Sequence, residues 1–297
     1  MTAHAAMTPA LTAQSMRSPL YFAFRRFTDN KAAVVCGLIL AVIILMAIFA
    51  PLITQTGYAD QKYLTEALAF PSGAHWFGID DLGRDFFTRI VFGARVSLSI
   101  GFSAALVSVV IGIPLGAIAG YYGGTADWCV MRLIELFSVV PPLLAAMLLG
   151  ALTNGGFLTI VLIAALFGWV QVCLLVRAQV KSFREKEFVL AAKALGASPG
   201  YIIRRHLIPN SVSPIIVGFV LAIPLAMMLE ASLSFLGIGV PPPIPSWGQM
   251  INVGMNFMYF YWHLAVFPTA ALAITVLATT LFGDGLRDAL DPTLKGR

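Results

Sequence analysis

Charge is what this chain has least of. Asp, Glu, Lys and Arg make up 11% of its 297 residues, against 59% apolar residues. Soluble globular proteins carry about 25% charged residues, and a fold of this size could not cover its surface with fewer than half of that. The shortage excludes a water-soluble enzyme or binding domain and leaves the membrane class. Cysteine is scarce too. Cys36, Cys129 and Cys173 lie far apart, each in or beside an apolar run, so they imply no disulfide framework and read as packing residues. The four histidines are equally scattered and form no metal-ligand spacing. No Gly-rich loop ending in Gly-Lys-Ser/Thr occurs, so the chain lacks that cradle for nucleotide phosphates. The net charge of +5 needs no nucleic-acid partner, because Lys and Arg accumulate in the cytoplasmic loops of membrane proteins.

What is present is a series of long apolar runs. A bilayer core takes about 20 residues of apolar helix, and six stretches qualify: 32–53, 96–121, 130–152, 157–176, 211–234 and 263–283. The first follows Arg25, Arg26 and Lys31. Its apolar core is too long for a signal peptide and no small-residue cleavage site is evident, so it reads as an uncleaved anchor. Gly112, Gly116 and Gly120 recur every fourth residue in the second, which lets a neighbouring helix backbone approach closely. Thr153-Asn154-Gly155-Gly156 separates the third from the fourth.

Six spans put both termini on one side. Fifteen of the 19 Lys and Arg fall on that side, in 1–31, 121–135, 177–210 and the C-terminal tail, against Lys62, Arg84, Arg89 and Arg95 opposite. The positive-inside rule then places both termini and the 177–210 loop in the cytoplasm. The expected organisation is a cytoplasmic tail 1–31, a transmembrane domain 32–283 and a cytoplasmic tail 284–297. Residues 1–18, rich in Ala, Thr and Ser without periodicity, are expected to be flexible. The fold class is all-α, a polytopic membrane protein of about six transmembrane helices.

The 177–210 loop is the most informative stretch. Phe188, Ala191, Ala192 and Leu195 fall at i, i+3, i+4 and i+7 and predict one apolar stripe on a short helix. Gly196 follows the stripe, Ser198-Pro199-Gly200 signals a turn, and Tyr201 to Leu207 predicts a second short helix before Pro209. Such a stripe in a cytoplasmic loop needs a partner groove to cover it.

These residues resemble the cytoplasmic signature of permease subunits of binding-protein-dependent ABC importers: Glu-Ala-Ala, three residues, Gly, nine residues, Ile, one residue, Leu-Pro. Ala191-Ala192, Gly196 and Pro209 occupy their places, while Leu190 replaces the glutamate, His206 the isoleucine and Ile208 the leucine. Glu187, one turn earlier, is the candidate for the acidic contact. More narrowly, the chain resembles the second permease of the dipeptide/oligopeptide/nickel group. This rests on His75-Trp76-Phe77-Gly78-Ile79-Asp80-Asp81-Leu82-Gly83-Arg84-Asp85, Gly93-Ala94-Arg95-Val96-Ser97-Leu98, Gly120-Tyr121-Tyr122-Gly123-Gly124, Leu233-Ser234-Phe235-Leu236-Gly237, Pro245-Ser246-Trp247-Gly248 and the run from Gly283 to Pro292. The resemblance covers roughly residues 20 to 295.

It implies the type I importer permease fold in a bacterial cytoplasmic (inner) membrane. It also implies an importer of two permeases, two ATPases and an extracytoplasmic solute-binding protein, with ATP and Mg bound by the ATPases and no cofactor on this chain. A coupling helix near 187–197 would carry ATPase motion into the membrane helices through Glu187, Ala191, Ala192, Gly196 and Pro209. Short peptides are the cargo suggested first; nickel, metal chelates and glutathione-like peptides use similar permeases.

Other residues carry two readings each. Glu230, an acidic residue inside a span, is either a path or gate residue or an outer-interface residue reached by water. Asp80, Asp81, Arg84 and Asp85 lie in a segment, 75–89, expected as an interfacial helix with Asp81/Arg84 and Asp85/Arg89 pairs; together with Trp247 they are also candidates for docking the binding protein. Pro241 to Pro245 predicts an extended outer segment, either docking surface or interfacial packing. Arg132 and Glu135 predict an i, i+3 ion pair. A secondary transporter would need ion-coupling groups, for which only Glu230 offers itself. A membrane enzyme would need a nucleophile with a paired base, and His263 has no evident partner.

Overall fold

A computed structural model describes residues 19–153 and 155–290; the expected flexible stretch 1–18 lies outside the described residues. The apolar runs become α2 (Lys31–Ile48), α3 (Phe86–Tyr122), α6 (Phe157–Phe183), α8 (Val212–Phe235) and α10 (His263–Leu290). These follow a short α1 (Pro19–Asp29). Between α3 and α6 lie α4 (Gly124–Val139) and α5 (Pro142–Thr153), and short helices α7 (Glu187–Ala194) and α9 (Trp247–Phe257) sit in the connections. The chain is a multi-pass membrane protein of the all-α class.

Two expectations about the spans change. The third span is not a straight helix over 130–152. It is the pair α4 and α5, bent by 80° at Val140 and Pro141, because Pro141 and Pro142 cannot donate to the preceding turn and their rings clash with it. The second span starts ten residues early, and no separate interfacial helix exists over 75–89. Residues 75–85 form a loop, closed by an isolated bridge between Ile79 and Asp85. Asp85 then caps α3 by accepting from the Thr88 N–H at 2.8 Å.

Smaller differences follow. A Phe49 cap ends α2, and a further turn, Ala50–Ile53, completes the first span. The fourth and last helices run seven residues past their expected ends. The Pro241–Pro245 segment bends through a turn at Pro242 and Pro243 instead of running extended. Cys36 and Cys173 are packing residues as expected, but Cys129 is exposed. The Arg132–Glu135 ion pair forms at 2.7 Å.

The most extensive helix pairing is α3 on α6, and the glycine stripe makes it. A β-carbon on Gly112, Gly116 or Gly120 would stand 2.9, 2.5 or 2.7 Å from the carbonyl oxygens of Trp169, Cys173 and Arg177. Three successive turns of α3 therefore lie backbone to backbone on α6. A second core, at the start of α3, gathers Phe86, Ile90, Met227, Trp247, Met250 and Leu264 where α3, α8, α9 and α10 meet.

Candidate functional site

The loop after α6 builds a compact knuckle at the end of the bundle that carries Tyr121 and Arg177, hereafter the basic end. Lys186 caps α7, and Gly196 closes it at φ +80, with its N–H on the Lys193 carbonyl and the Ala197 N–H on the Ala192 carbonyl. That left-handed residue is the reason for glycine here. Ser198 accepts from the Tyr201 N–H and starts a second arm. The expected helix over 201–207 is Pro199–Ile202 followed by a π-turn, Ile203–Leu207.

The knuckle is seated on the bundle. Val189, Ile202 and Leu207 are fully buried against Tyr121, Val176 and Val180. The Lys193 ammonium lies 5.3 Å from the centre of the Tyr121 ring, and an Arg184 N–H donates to the Tyr121 carbonyl at 3.4 Å. Beneath it Arg177 grips Asp127 through two N–H donors, one to each carboxylate oxygen, tying α6 to α4. Sequence reasoning missed these ties, because 50 residues separate Asp127 from Arg177 and no local spacing links them.

The expected stripe is split. Ala192 is buried under the knuckle with Val189, so it anchors the helix to its own bundle. The outward face carries Phe188, Leu190, Ala191 and Leu195, the last 89% exposed, with Glu187 and Pro209 also exposed. Four of the five residues proposed for coupling contacts, Glu187, Ala191, Gly196 and Pro209, thus stand on the surface. A β-carbon on Gly196 would meet nothing within 4 Å.

At the opposite end the acidic and basic residues of 80–89 form a buried junction. Asp80 accepts from Arg84 Nε at 2.6 Å and from the backbone N–H of Leu82 and Arg84, with Arg89 Nε at 3.4 Å. Arg89 also donates to the Tyr58 and Pro243 carbonyls, joining two loops of this end. The expected helix pairs are replaced by this hub: Arg84 reaches Asp81 only at 3.9 Å, and Asp85 pairs with His75 at 3.2 Å. Asp81 is the strained member. Burial, with Asp80 beside it, holds its carboxyl above the ordinary carboxylate range.

Trp247 is 1% exposed and donates its indole N–H to the Ile90 carbonyl at 3.0 Å. As side chains, Asp80, Arg84 and Trp247 are buried and hold this end of the bundle together, instead of standing on its surface. Glu230 corrects the water-reached reading, being fully buried. Its oxygens accept from Ser97 on α3 at 3.1 Å and Ser234 on α8 at 2.7 Å. Ser97 in turn lies 3.5 Å from the Trp247 N–H, so the carboxyl group sits at the joint of α3, α8 and α9.

Between these ends lies an open groove of about 890 Å³ flanked by α3, α6, α8 and the start of α5. Leu175, Ala222 and Leu225 give it an apolar lining, relieved by Ser108 and Gln171. The Ser108 hydroxyl is spent on the Ala104 carbonyl at 2.8 Å. The groove contains neither Glu230 nor any ionic side chain.

Comparison with known proteins agrees with these features. A family model described as the binding-protein-dependent transport system inner membrane component matches residues 112–296. Another, the N-terminal TM domain of oligopeptide transport permease C, matches residues 18–71. The oligopeptide transport system permease protein OppC of Bacillus subtilis (strain 168) is 42% identical over 92% of this chain and 89% of its own. The glutathione transport system permease protein GsiD of Pectobacterium atrosepticum is 40% identical over 98% and 96%. The dipeptide transport system permease protein DppC of Alkalihalophilus pseudofirmus is 41% identical over 94% and 91%. Among solved structures, an inward-facing MetNI methionine ABC transporter chain matches with a TM-score of 0.54 at 17% identity, over 68% of this chain and 96% of that one; that likeness is one of fold.

Proposed function

The chain belongs to the binding-protein-dependent transport system inner membrane component family, and from that premise we propose that it forms half of the membrane path of an ATP-driven importer of short peptides. Its companions are a second permease, two ATPase subunits and an extracytoplasmic binding protein, and nucleotide chemistry takes place on the ATPases. The knuckle faces the cytoplasm together with both termini, in line with the Lys and Arg distribution. Peptide cargo is supported by the relatives named for oligopeptides, dipeptides and glutathione.

The observation that carries this reading is the two-faced α7. One face, Val189 and Ala192, is locked to the bundle; the other offers Phe188, Leu190 and Leu195 to a partner. A partner that closes on the outer face moves the knuckle, and the knuckle moves Tyr121, Val176 and Val180. Because α3 and α6 touch backbone to backbone, they respond as one body, and Asp127–Arg177 passes the displacement to α4. Rocking of the bundle about the Pro141 break follows.

The test is Gly196→Glu in the purified complex with its binding protein. The side chain has room there but the left-handed backbone strains any residue other than glycine, so Gly196→Ala serves as the control for that strain, while the glutamate in addition blocks close docking. ATP-driven peptide uptake should fall at least tenfold while the chain remains inserted. Normal uptake with normal ATPase co-purification refutes the coupling role.

A further inference from the structure

We propose that the groove beside Gln171 is the solute-facing wall of this chain, and that it reads the peptide backbone through the uncharged Gln171 amide. This rests on the importer reading and adds which surface meets the solute and by what chemistry.

The first support is Gln171. It lies 14 residues after Phe157 and six before Arg177 on α6, about 21 and 9 Å from those two residues, and so within the apolar span, toward its basic end. It is exposed, and its side-chain amide makes no hydrogen bond to the described residues. A primary amide left unpaired in hydrocarbon costs several kcal/mol, on the order of 4–8, so this face of α6 meets protein or water and not lipid tails.

The second support is independent. The α4–α5 break removes the N–H groups of Pro141 and Pro142, which in a continuous helix would reach the carbonyls of Phe137 and Ser138. The Phe137 ring packs on Trp169 of α6, centroids 5.6 Å apart, two residues before Gln171, so the break stands close to the depth of Gln171. Interrupted backbone at that depth is tolerated where it is buried in protein or lines a wet cavity, and Pro142 lines this groove.

The chemistry fits a peptide unit. A glutamine side chain offers one acceptor and two donors, matching the N–H and C=O of a peptide bond. The remaining wall is apolar and uncharged, so it holds neither acidic nor basic side chains of a cargo. The volume lies within the range of ligand sites, roughly 300–1,000 Å³. A wall of this kind passes peptides with little regard to sequence.

The experiment uses the intact complex in membrane vesicles, in a Cys129→Ser background that removes the exposed native thiol. Gln171→Cys is compared with Leu162→Cys, nine residues earlier and on the opposite side of α6. A membrane-impermeant thiol reagent should label Gln171→Cys at least fivefold faster. Saturating trialanine with binding protein and ATP should slow that labelling at least threefold. Gln171→Leu should lower trialanine uptake about tenfold, and Gln171→Asn should restore most of it. Equal labelling of the two cysteines overturns the proposal, as does wild-type uptake by Gln171→Leu. So does a Gln171→Cys that is unreactive and cross-links to the second permease, which marks a subunit contact. Failure of the importer reading itself shows separately, as uptake by the wild-type complex without ATP.

Discussion

Gly116→Ala tests the rigid α3–α6 unit on which the proposed force transmission depends. The new β-carbon would stand 2.5 Å from the Cys173 carbonyl oxygen and 2.9 Å from Val176 Cβ. Ordinary contact begins near 3.4 Å, so the helices must separate by about 0.9 Å. No flexible side-chain end can yield, because the obstacle is backbone on one side and a β-branched residue on the other. Overpacking of this kind costs about 1–3 kcal/mol, and the adjoining Gly112 and Gly120 contacts loosen with it. A domain of this size shifts its melting midpoint by roughly 2–4 °C per kcal/mol. Gly218→Ala is the control: its β-carbon meets only Leu175 Cδ1 at 3.8 Å, and alanine favours the helix by about 1 kcal/mol. Melting of the detergent-solubilised chain, followed by tryptophan fluorescence, should place Gly116→Ala clearly below wild type and Gly218→Ala at or above it. Midpoints for the two variants within about 1 °C of each other refute the claim that this seam is backbone-tight.

Three further predictions concern the end opposite the knuckle. Glu230→Leu strands the Ser97 and Ser234 hydroxyls in a buried joint and should cost about 1–3 kcal/mol, whereas Glu230→Gln keeps one acceptor and should cost less; the melting order wild type, Gln, Leu checks this. Asp80→Asn removes the anion that Arg84 and Arg89 share and should cost about 3–5 kcal/mol, while Asp81→Asn should raise the melting point at neutral pH. The sign follows from linkage: the Asp81 carboxyl is raised on folding by burial, then by Asp80, so its stabilising share is complete below the ordinary carboxylate range and lost as pH rises through the raised value. Melting against pH should therefore show wild type losing ground to Asp81→Asn as pH rises, and parallel curves would sink the assignment.

Much of this protein was legible in one dimension because the bilayer imposes a one-dimensional rule. A helix that crosses hydrocarbon must be apolar for about 20 residues, so composition and run length fixed the class and most of the spans. The glycine stripe at 112, 116 and 120 and the turn at Gly196 were equally readable, each being a local backbone demand that glycine alone meets cheaply. Charge placement gave a topology, and the cytoplasmic signature around Ala191, Ala192, Gly196 and Pro209 pointed to a partner.

What the tertiary structure decided is which face of each element is spent inside the chain and which remains to be used. The α7 stripe could not reveal that Val189 and Ala192 seat the helix on its own bundle while Phe188 and Leu195 look outward. Asp80, Arg84 and Trp247 read as interfacial or docking groups until folding buried them, and of the two readings of Glu230 the water-reached one fell when Ser97 and Ser234 closed over it. The prolines at 141 and 142 were visible as letters, yet their 80° break and its place beside Gln171 came from packing. The physical reason is common to all of these: run length and spacing are set along the chain, whereas burial and pairing arise between segments 50 to 150 residues apart, such as Asp127 with Arg177 and Ser97 with Trp247, and no local pattern encodes them.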